Sequence, residues 1–440
     1  MFKKGFLAVF AAMLLVLGAS IAQAVQVDGV ASGTGPALPV GLQSSINPGG
    51  LGDSLLYGYY NVRGNLNWFQ VVNTNSVDGN KVRVIFRNGK NSKECLDFSV
   101  CLSRGDVWTA YLIDNGTTAA ICPWDTDTLT APAITSCIPF KFGTYEDGYV
   151  VTADDCREGY FEVVGLSAIP LYDKAKCTLG DVTCPFGSTA GAATESACNT
   201  WAGNSSVQNV LLGANTIIDV FKLATYSYNA TAVADTNIGV PFAPPAGAEY
   251  SIAQAMDGGC QEFDYIFTKT NVISPFNLLA ELGGQTEVIV TFPSRYVCHA
   301  NEVGGIFDGK TDNDDPTKAD VYCTVITPAL WDDKEKKQSV LDFSPGLSLC
   351  LPHEVNIIRV GNSAIFNSTL ANVITTSFKL GWIDVSFAAT NHFTAFDGVR
   401  VSGVPLVSYQ VQSFAGGFAS YMVPTAYKTS LSQVVGTTVD

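Results

Sequence analysis

Val82-Arg83-Val84-Ile85-Phe86-Arg87 alternates a β-branched or aromatic residue with an arginine or isoleucine. Successive strand residues point to opposite faces, so the run reads as an antiparallel strand with one face in a core and the other half exposed. Asp78-Gly79 precedes it and marks a turn. Similar runs lie on both sides. Residues 55–62, 68–73, 96–102, 107–113 and 159–166 are rich in aromatic and β-branched types, the composition of short strands. Gly64-Asn65 and Ser103-Arg104-Gly105-Asp106 separate neighbouring runs, as hairpin turns do. Strand signals return from about residue 250. The spacing predicts an all-β chain with two antiparallel β-sandwich domains of immunoglobulin-like or related topology, over 55–176 and 250–428. Between them, 177–249 reads as a loop-rich linker, with a small-residue cluster at 187–193 and prolines at 241, 244 and 245.

Part of the first domain is echoed in the second. Leu96-Asp97-Phe98-Ser99 is matched by Leu341-Asp342-Phe343-Ser344. Gly159-Tyr160-Phe161-Glu162-Val163 is matched by Gly381-Trp382-Ile383-Asp384-Val385. The order is kept, which suggests a duplicated sandwich with residues 299–338 inserted as a loop into the second copy. Two β-rich segments also share such phrases by chance.

The ends read differently. Lys3 and Lys4 lead an apolar run over 6–17, and Ala22-Gln23-Ala24 gives a small-x-small cleavage pattern. Residues 1–24 are therefore expected to be a secretory signal peptide. Residues 25–54 carry only Asp28 and Asp53 as charges and read as a flexible N-terminal arm. Such an arm could add as a strand to a neighbouring subunit's sheet edge. Residues 429–440 read as a C-terminal tail. Beyond the leader, no run approaches the roughly 18–20 apolar residues that span a bilayer.

Composition limits the partners. There are 40 acidic against 25 basic residues, a formal charge of -15. Nucleic acid is excluded, because phosphate binding needs a basic footprint. The cysteine count is 12 and no C-x-x-C occurs, which points to disulfides rather than a zinc ribbon or thioredoxin-like motif. Three sequence-near pairs are expected to bond: Cys122–Cys137, Cys177–Cys184 and Cys298–Cys323. Cys95 and Cys101 are not expected to pair with each other. Six extended residues separate them by about 20 Å, beyond disulfide reach.

Chemical motifs are few. Gly304 to Thr311 formally fits a P-loop, but Asp312-Asn313-Asp314-Asp315-Pro316 follows it and supplies neither a helix nor a field suited to phosphate. Asp308, Asp312, Asp314 and Asp315 are hard oxygen donors at short spacing, a candidate calcium loop off the EF-hand pattern. A solvated acidic loop has the same composition. No other cofactor is expected. Arg104-Gly105-Asp106 matches an adhesion tripeptide, and a turn explains the same three residues. His299, His353 and His392 are expected on loop or strand surfaces. Trp68, Trp108 and Trp382 fall in strand patterns and are expected to fill cores. Asn115, Asn204, Asn229 and Asn367 begin N-x-[ST] sequons.

Tyr59-Tyr60-Asn61-Val62-Arg63-Gly64, Phe86-Arg87-Asn88-Gly89-Lys90-Asn91-Ser92, Ser103-Arg104-Gly105-Asp106-Val107-Trp108-Thr109 and Val288-Ile289-Val290-Thr291-Phe292-Pro293 resemble phrases of an uncharacterised family of secreted proteins of Gram-negative bacteria. The resemblance covers scattered β-segments on either side of 177–250. It implies a cell-surface or extracellular bacterial protein and supplies no activity or site residues.

The expected function is a non-enzymatic secreted structural or interaction protein of the cell surface or an extracellular assembly. Its partner would be a protein, a second copy included. An extracellular carbohydrate- or ligand-binding module is the alternative, and a secreted hydrolase comes third. A cleft holding a carboxylate pair beside Trp124 or Trp201 would favour the latter two.

Overall fold

The computed structural model describes residues 42–125, 128–145, 148–172, 198, 203, 205–236, 241–243, 250–299, 324–338, 343–344, 350–387, 393–396, 399–414 and 419–432. The fold is all-β, with antiparallel sheets stacked as sandwiches and none closed into a barrel.

The first sandwich pairs two sheets. One runs Ser45–Ile46, Thr231–Ala234, Ser54–Asn61, Glu158–Ile169, Gly79–Asn88, Glu94–Leu102, Leu129–Ala131 in spatial order. The other runs Ala224–Asn229, Leu211–Asp219, Asn65–Asn73, Val107–Asp114, Ala119–Pro123, Ile138–Pro139. Aromatic rings fill the space between them. Tyr57 stacks on Phe161 at 4.1 Å, Phe161 lies 4.7 Å from Phe86, and Phe69 meets Trp108 edge-on at 5.5 Å. A bulge, where Gly159 pairs with Tyr60 but Phe161 with Tyr57, brings Tyr60 within 5.9 Å of Phe86.

Three expected hairpins are corners between sheets instead. Gly64-Asn65, Asp78-Gly79 and Ser103–Asp106 each carry the chain from one sheet to the other. Leaving a ladder strands backbone groups that buried asparagines then satisfy. Asn67 exchanges bonds with the backbone N–H and C=O of Asn61. Asn73 Nδ2 donates to the carbonyls of Asp78 and Ser103. The Val82–Arg87 strand is also more buried than its alternation predicts. Ile85 lies in the core cluster, and Arg87 is enclosed with Glu162 at 3.0 Å and the Tyr250 carbonyl at 2.7 Å.

The 177–249 linker requires the largest correction. Residues 211–234 form three strands of the first sandwich. Their inward positions include Gly213 and Asn215, which hide the alternation. A Cβ at 213 would collide with the Tyr57 hydroxyl. Asn215 Nδ2 donates to the Tyr59 carbonyl and the Tyr228 hydroxyl. The arm is corrected over 42–54: Ser45–Ile46 pairs with Thr231–Ala234 of its own chain. Gln43 N and Ser44 N donate to the Glu262 carboxylate. Residues 1–41 lie outside the described residues.

The second sandwich has one sheet ordered Lys337–Gln338, Thr327–Asp332, Leu380–Ser386, Asn271–Asn277, Ala426–Lys428. Its other sheet is ordered Phe343–Ser344, Ala371–Ile374, Val355–Val360, Gln285–Thr291, Val407–Phe414, Ala419–Pro424. Ala371–Ile374 alone runs parallel to its neighbour Val355–Val360 among these pairs. Residues 324–338, expected within an inserted loop, supply two of these strands. Ser430–Ser432, expected in a tail, pairs with Val399–Ser402. The apparent duplication is not structural. Leu96–Ser99 and Gly159–Val163 share one sheet, whereas Phe343–Ser344 and the Leu380–Ser386 strand lie in different sheets. Residues 252–267, expected within strand-forming sequence, make helices Ile252–Ala255 and Gly259–Phe267. Phe263 and Phe267 stack one turn apart at 4.4 Å.

The two sandwiches share a core. Along Gln285–Thr291, Val288 and Val290 belong to the second sandwich's cluster, while Ile289 belongs to the first's. Ile357 and Ile358 divide in the same way. Tyr409 packs 4.6 Å from Tyr228, and Thr291 Oγ1 donates to the Gly58 carbonyl at 2.6 Å.

Candidate functional site

The Ala119–Pro123 strand ends at the rim of the first sandwich. Trp124 N and Asp125 N both donate to the Thr109 carbonyl, at 3.4 and 3.1 Å, which fixes the chain as it leaves the ladder. The chain then visits the opposite sheet at Leu129–Ala131 and returns at Ile138–Pro139. Cys122 and Cys137 are bonded across this excursion, so the whole loop is clipped at its base. Cys122 is buried and Cys137 is exposed.

A cleft of about 130 Å³ opens within that loop. Trp108, 2% exposed, forms part of its lining and is held edge-on by Phe69 and Phe98. Leu129 and Ile134 give apolar walls; Asp125 and Thr128 give polar ones. Ile134 N donates to Thr130 Oγ1 at 2.9 Å and ties the far wall to the strand. Trp124 is not part of this lining: it is 71% exposed, and its ring stands edge-on to Tyr111 at 6.3 Å, on the face of the sheet opposite to Trp108 and Ala110.

Two carboxylates meet here. Thr128 Oγ1 lies 2.7 Å from Asp125 Oδ2 and 3.3 Å from Asp106 Oδ1. A hydroxyl has one proton to give, and the shorter contact assigns it to Asp125. Burial raises the Asp106 pKa, and the Asp125 charge adds to the rise. The other Asp106 oxygen accepts from Ser103 N at 2.9 Å. Arg104-Gly105-Asp106 is thus a corner whose acid is turned inward, with Gly105 at φ +66 supplying the left-handed residue. A cleft holding a carboxylate pair beside Trp124 or Trp201 was expected to favour a ligand-binding module or a hydrolase; here Asp125 alone of the two acids lines the cleft, and the Trp124 ring faces away from it.

Other candidates fall elsewhere. Asp308, Asp312, Asp314, Asp315, Cys323, Cys177, Cys184, His392 and Trp201 lie outside the described residues. Among the described residues, no group of three His, Cys, Asp or Glu is placed to hold a metal ion. Cys298 bonds Cys260, with Cα atoms 5.5 Å apart, rather than Cys323. The unforeseen Gly259–Phe267 helix explains this. Cys260 and Asp264 share one face four residues apart, and Asp264 Oδ2 sits 2.6 Å from His299 Nε2 beside the disulfide. His299 is therefore buried, contrary to expectation. Cys95 and Cys101 bond Cys156 and Cys198. Trp108 is a core residue. Trp68 is half-buried, and Trp382 stacks on Trp331 at 3.9 Å, off the core side of Ile383.

Sequence reasoning missed a buried acid at the junction of the sandwiches. Glu158 accepts from the hydroxyls of Tyr59 and Ser368, with Arg63 Nε 3.7 Å away. Burial pushes its carboxyl up to about 7 against the pull of these partners. Glu354 is likewise buried and pushed up to about 8, with Arg295 opposing. No helix among the described residues is long and apolar enough to cross a membrane. Comparison with protein-family models, with curated proteins and with solved structures finds no match to this chain.

Proposed function

We propose that this protein is a non-enzymatic, secreted interaction protein of the bacterial cell surface or an extracellular assembly. Trp124 carries the reading. An indole left 71% exposed beside Tyr111 on the outer face of the sheet supplies a large, rigid contact surface at little conformational cost. The disulfide-closed loop holds it ready before a partner arrives. The Cys95–Cys156, Cys101–Cys198, Cys122–Cys137 and Cys260–Cys298 bonds suit an oxidising compartment.

The test is retention on envelopes of the producing cells. Labelled wild-type protein should bind saturably and Trp124→Ala should stay in the soluble fraction. Wild-type protein that stays soluble, or a variant retained equally well, refutes the reading.

A further inference from the structure

We propose that this protein associates head to tail with further copies of itself, the hairpin tip 220–223 of one copy entering the cleft lined by Trp108, Ala110, Leu129 and Ile134 of the next; this rests on the interaction reading above and names one partner. The tip joins Leu211–Asp219 to Ala224–Asn229. Val220, Phe221 and Leu223 are 51%, 83% and 74% exposed. Single exposed apolar residues are ordinary, but three within four positions form a patch. Asp219 holds the turn in shape: its Oδ1 accepts from Phe221 N and Lys222 N at 3.0 and 2.8 Å. Leu223 sits at φ +54, where Gly or Asn would turn without strain. A leucine there carries conformational strain, which gathers at functional positions.

The cleft complements the tip in size, charge and place. It measures about 130 Å³. An apolar cavity of about 150 Å³ holds a benzene ring, so the Phe221 ring matches it. Asp125 stands in the lining, and Lys222, beside Phe221, has a side chain 39% exposed. Lys222 Nζ donates to the Ile365 carbonyl at 2.8 Å and lies 3.4 Å from Asp219. An ammonium has three donors, so a third can meet the Asp125 carboxylate of the next copy. Tip and cleft cannot meet within one copy. Asp219 pairs with Asn65, and Trp108 with Val71 on the same strand, about 20 Å farther along. Ala224–Asn229 is one edge of that sheet, and Ala119–Pro123 with Ile138–Pro139 forms the other side. Knob and hole are different surfaces, so the contact is heterologous and repeats into a chain unless its rotation closes a ring. One ring with two flanking side chains is a small interface, so association is weak and depends on concentration. A lipid surface would accept the same tip but leaves the cleft without a role.

The experiment follows the full mature protein by sedimentation velocity over a range of concentrations. Wild type should grow past the dimer as concentration rises. Phe221→Ser removes the knob, and Ala133→Trp plugs the cleft, which Ala133 lines while exposed. Each should weaken association by about tenfold or more, with unfolding midpoints unchanged because both positions are exposed. Mixed in equal amounts, the two variants should form a dimer that does not extend, since one intact knob meets one intact hole. Wild type that stays monomeric, a variant that associates like wild type, or a mixture no larger than its parts overturns the proposal. Binding of monomer to phosphatidylcholine vesicles that Phe221→Ser abolishes also overturns it, in favour of a lipid surface. Monomeric protein still retained on envelopes through Trp124 overturns self-association and leaves the interaction reading standing. Monomeric protein that is not retained overturns both.

Discussion

Gly58 sits where the sandwiches meet, and adding one methyl group there tests whether they form a single body. A Cβ at this position would lie 2.7 Å from Tyr409 Cε2 and 2.8 Å from Val407 Cγ2, where ordinary contact begins at 3.4 Å. The Tyr409 ring cannot easily retreat. It is buried, with the Tyr228 ring 4.6 Å away. Gly58 cannot easily move either, since its carbonyl holds Thr291 Oγ1. Overpacking of this kind costs about 1–3 kcal/mol, and two simultaneous clashes put Gly58→Ala near the upper end. Tyr409→Ala alone should cost about 3–5 kcal/mol through the cavity it leaves. The double variant should cost less than the sum, because each change relieves the other. Denaturant unfolding followed by tryptophan fluorescence should show one transition, moved to a lower midpoint with unchanged slope. The reasoning fails if Gly58→Ala stays within about 0.5 kcal/mol of wild type, if the two costs simply add, or if the sandwiches unfold separately.

Stability should depend on pH through the buried acids. Burial raises the folded pKa of Glu158 to about 7 and of Glu354 to about 8, so their contribution is full below about 4.5 and is lost as pH rises through those values. Lys269, lowered to about 8 by burial, acts oppositely: its contribution is full above the ordinary lysine range and is lost as pH falls through 8. Unfolding free energy should therefore decline toward pH 8 and recover above it, and Glu158→Gln should flatten the decline between pH 5 and 7. An unchanged slope in that variant would count against the assignment. Replacing Cys122 and Cys137 by serine should cost about 3 kcal/mol by loop entropy. It should also open the 123–136 loop to protease, and a loop equally resistant in the variant would show that the clip is not what orders it.

What was legible in the sequence follows from which faces are apolar. Tyr57, Phe69, Phe86 and Phe161 announce their strands because they point into the core in the regular alternation of a pleated sheet. Leu211–Asp219 stayed hidden because Gly213 and Asn215 occupy inward positions, one for lack of space and one to bond Tyr59 and Tyr228. Turn residues showed where strands end but not which sheet came next. Gly64 and Gly105 serve a sheet-to-sheet corner as well as a hairpin, and only the asparagine bonds at Asn61, Asn67 and Asn73 tell the two apart. The Cys122–Cys137 bond was readable as a short loop between cysteines. Cys260–Cys298 was not, since it depends on a helix whose apolar signal is two phenylalanines one turn apart.

The junction combines contacts that tolerate sliding with contacts that do not. Apolar surface alone, such as Ile289 and Ile357 against the first sandwich, would hold the two halves together in several registers, because burial is non-directional. The buried acids remove that freedom. Glu158 extends from the first sandwich and takes the Ser368 hydroxyl from the second. Glu287, on the second, accepts from Arg359 and from the amides of Ile365 and Phe366, and Phe366 in turn packs 5.5 Å from Tyr59. A slip of one residue would leave each carboxylate buried without its donors, at a cost of several kcal/mol. Such groups add little net stability where they are satisfied, and at Glu158 desolvation outweighs the pull of its partners and raises its carboxyl to about 7. They set one register, in which Gly58 lies directly under Tyr409.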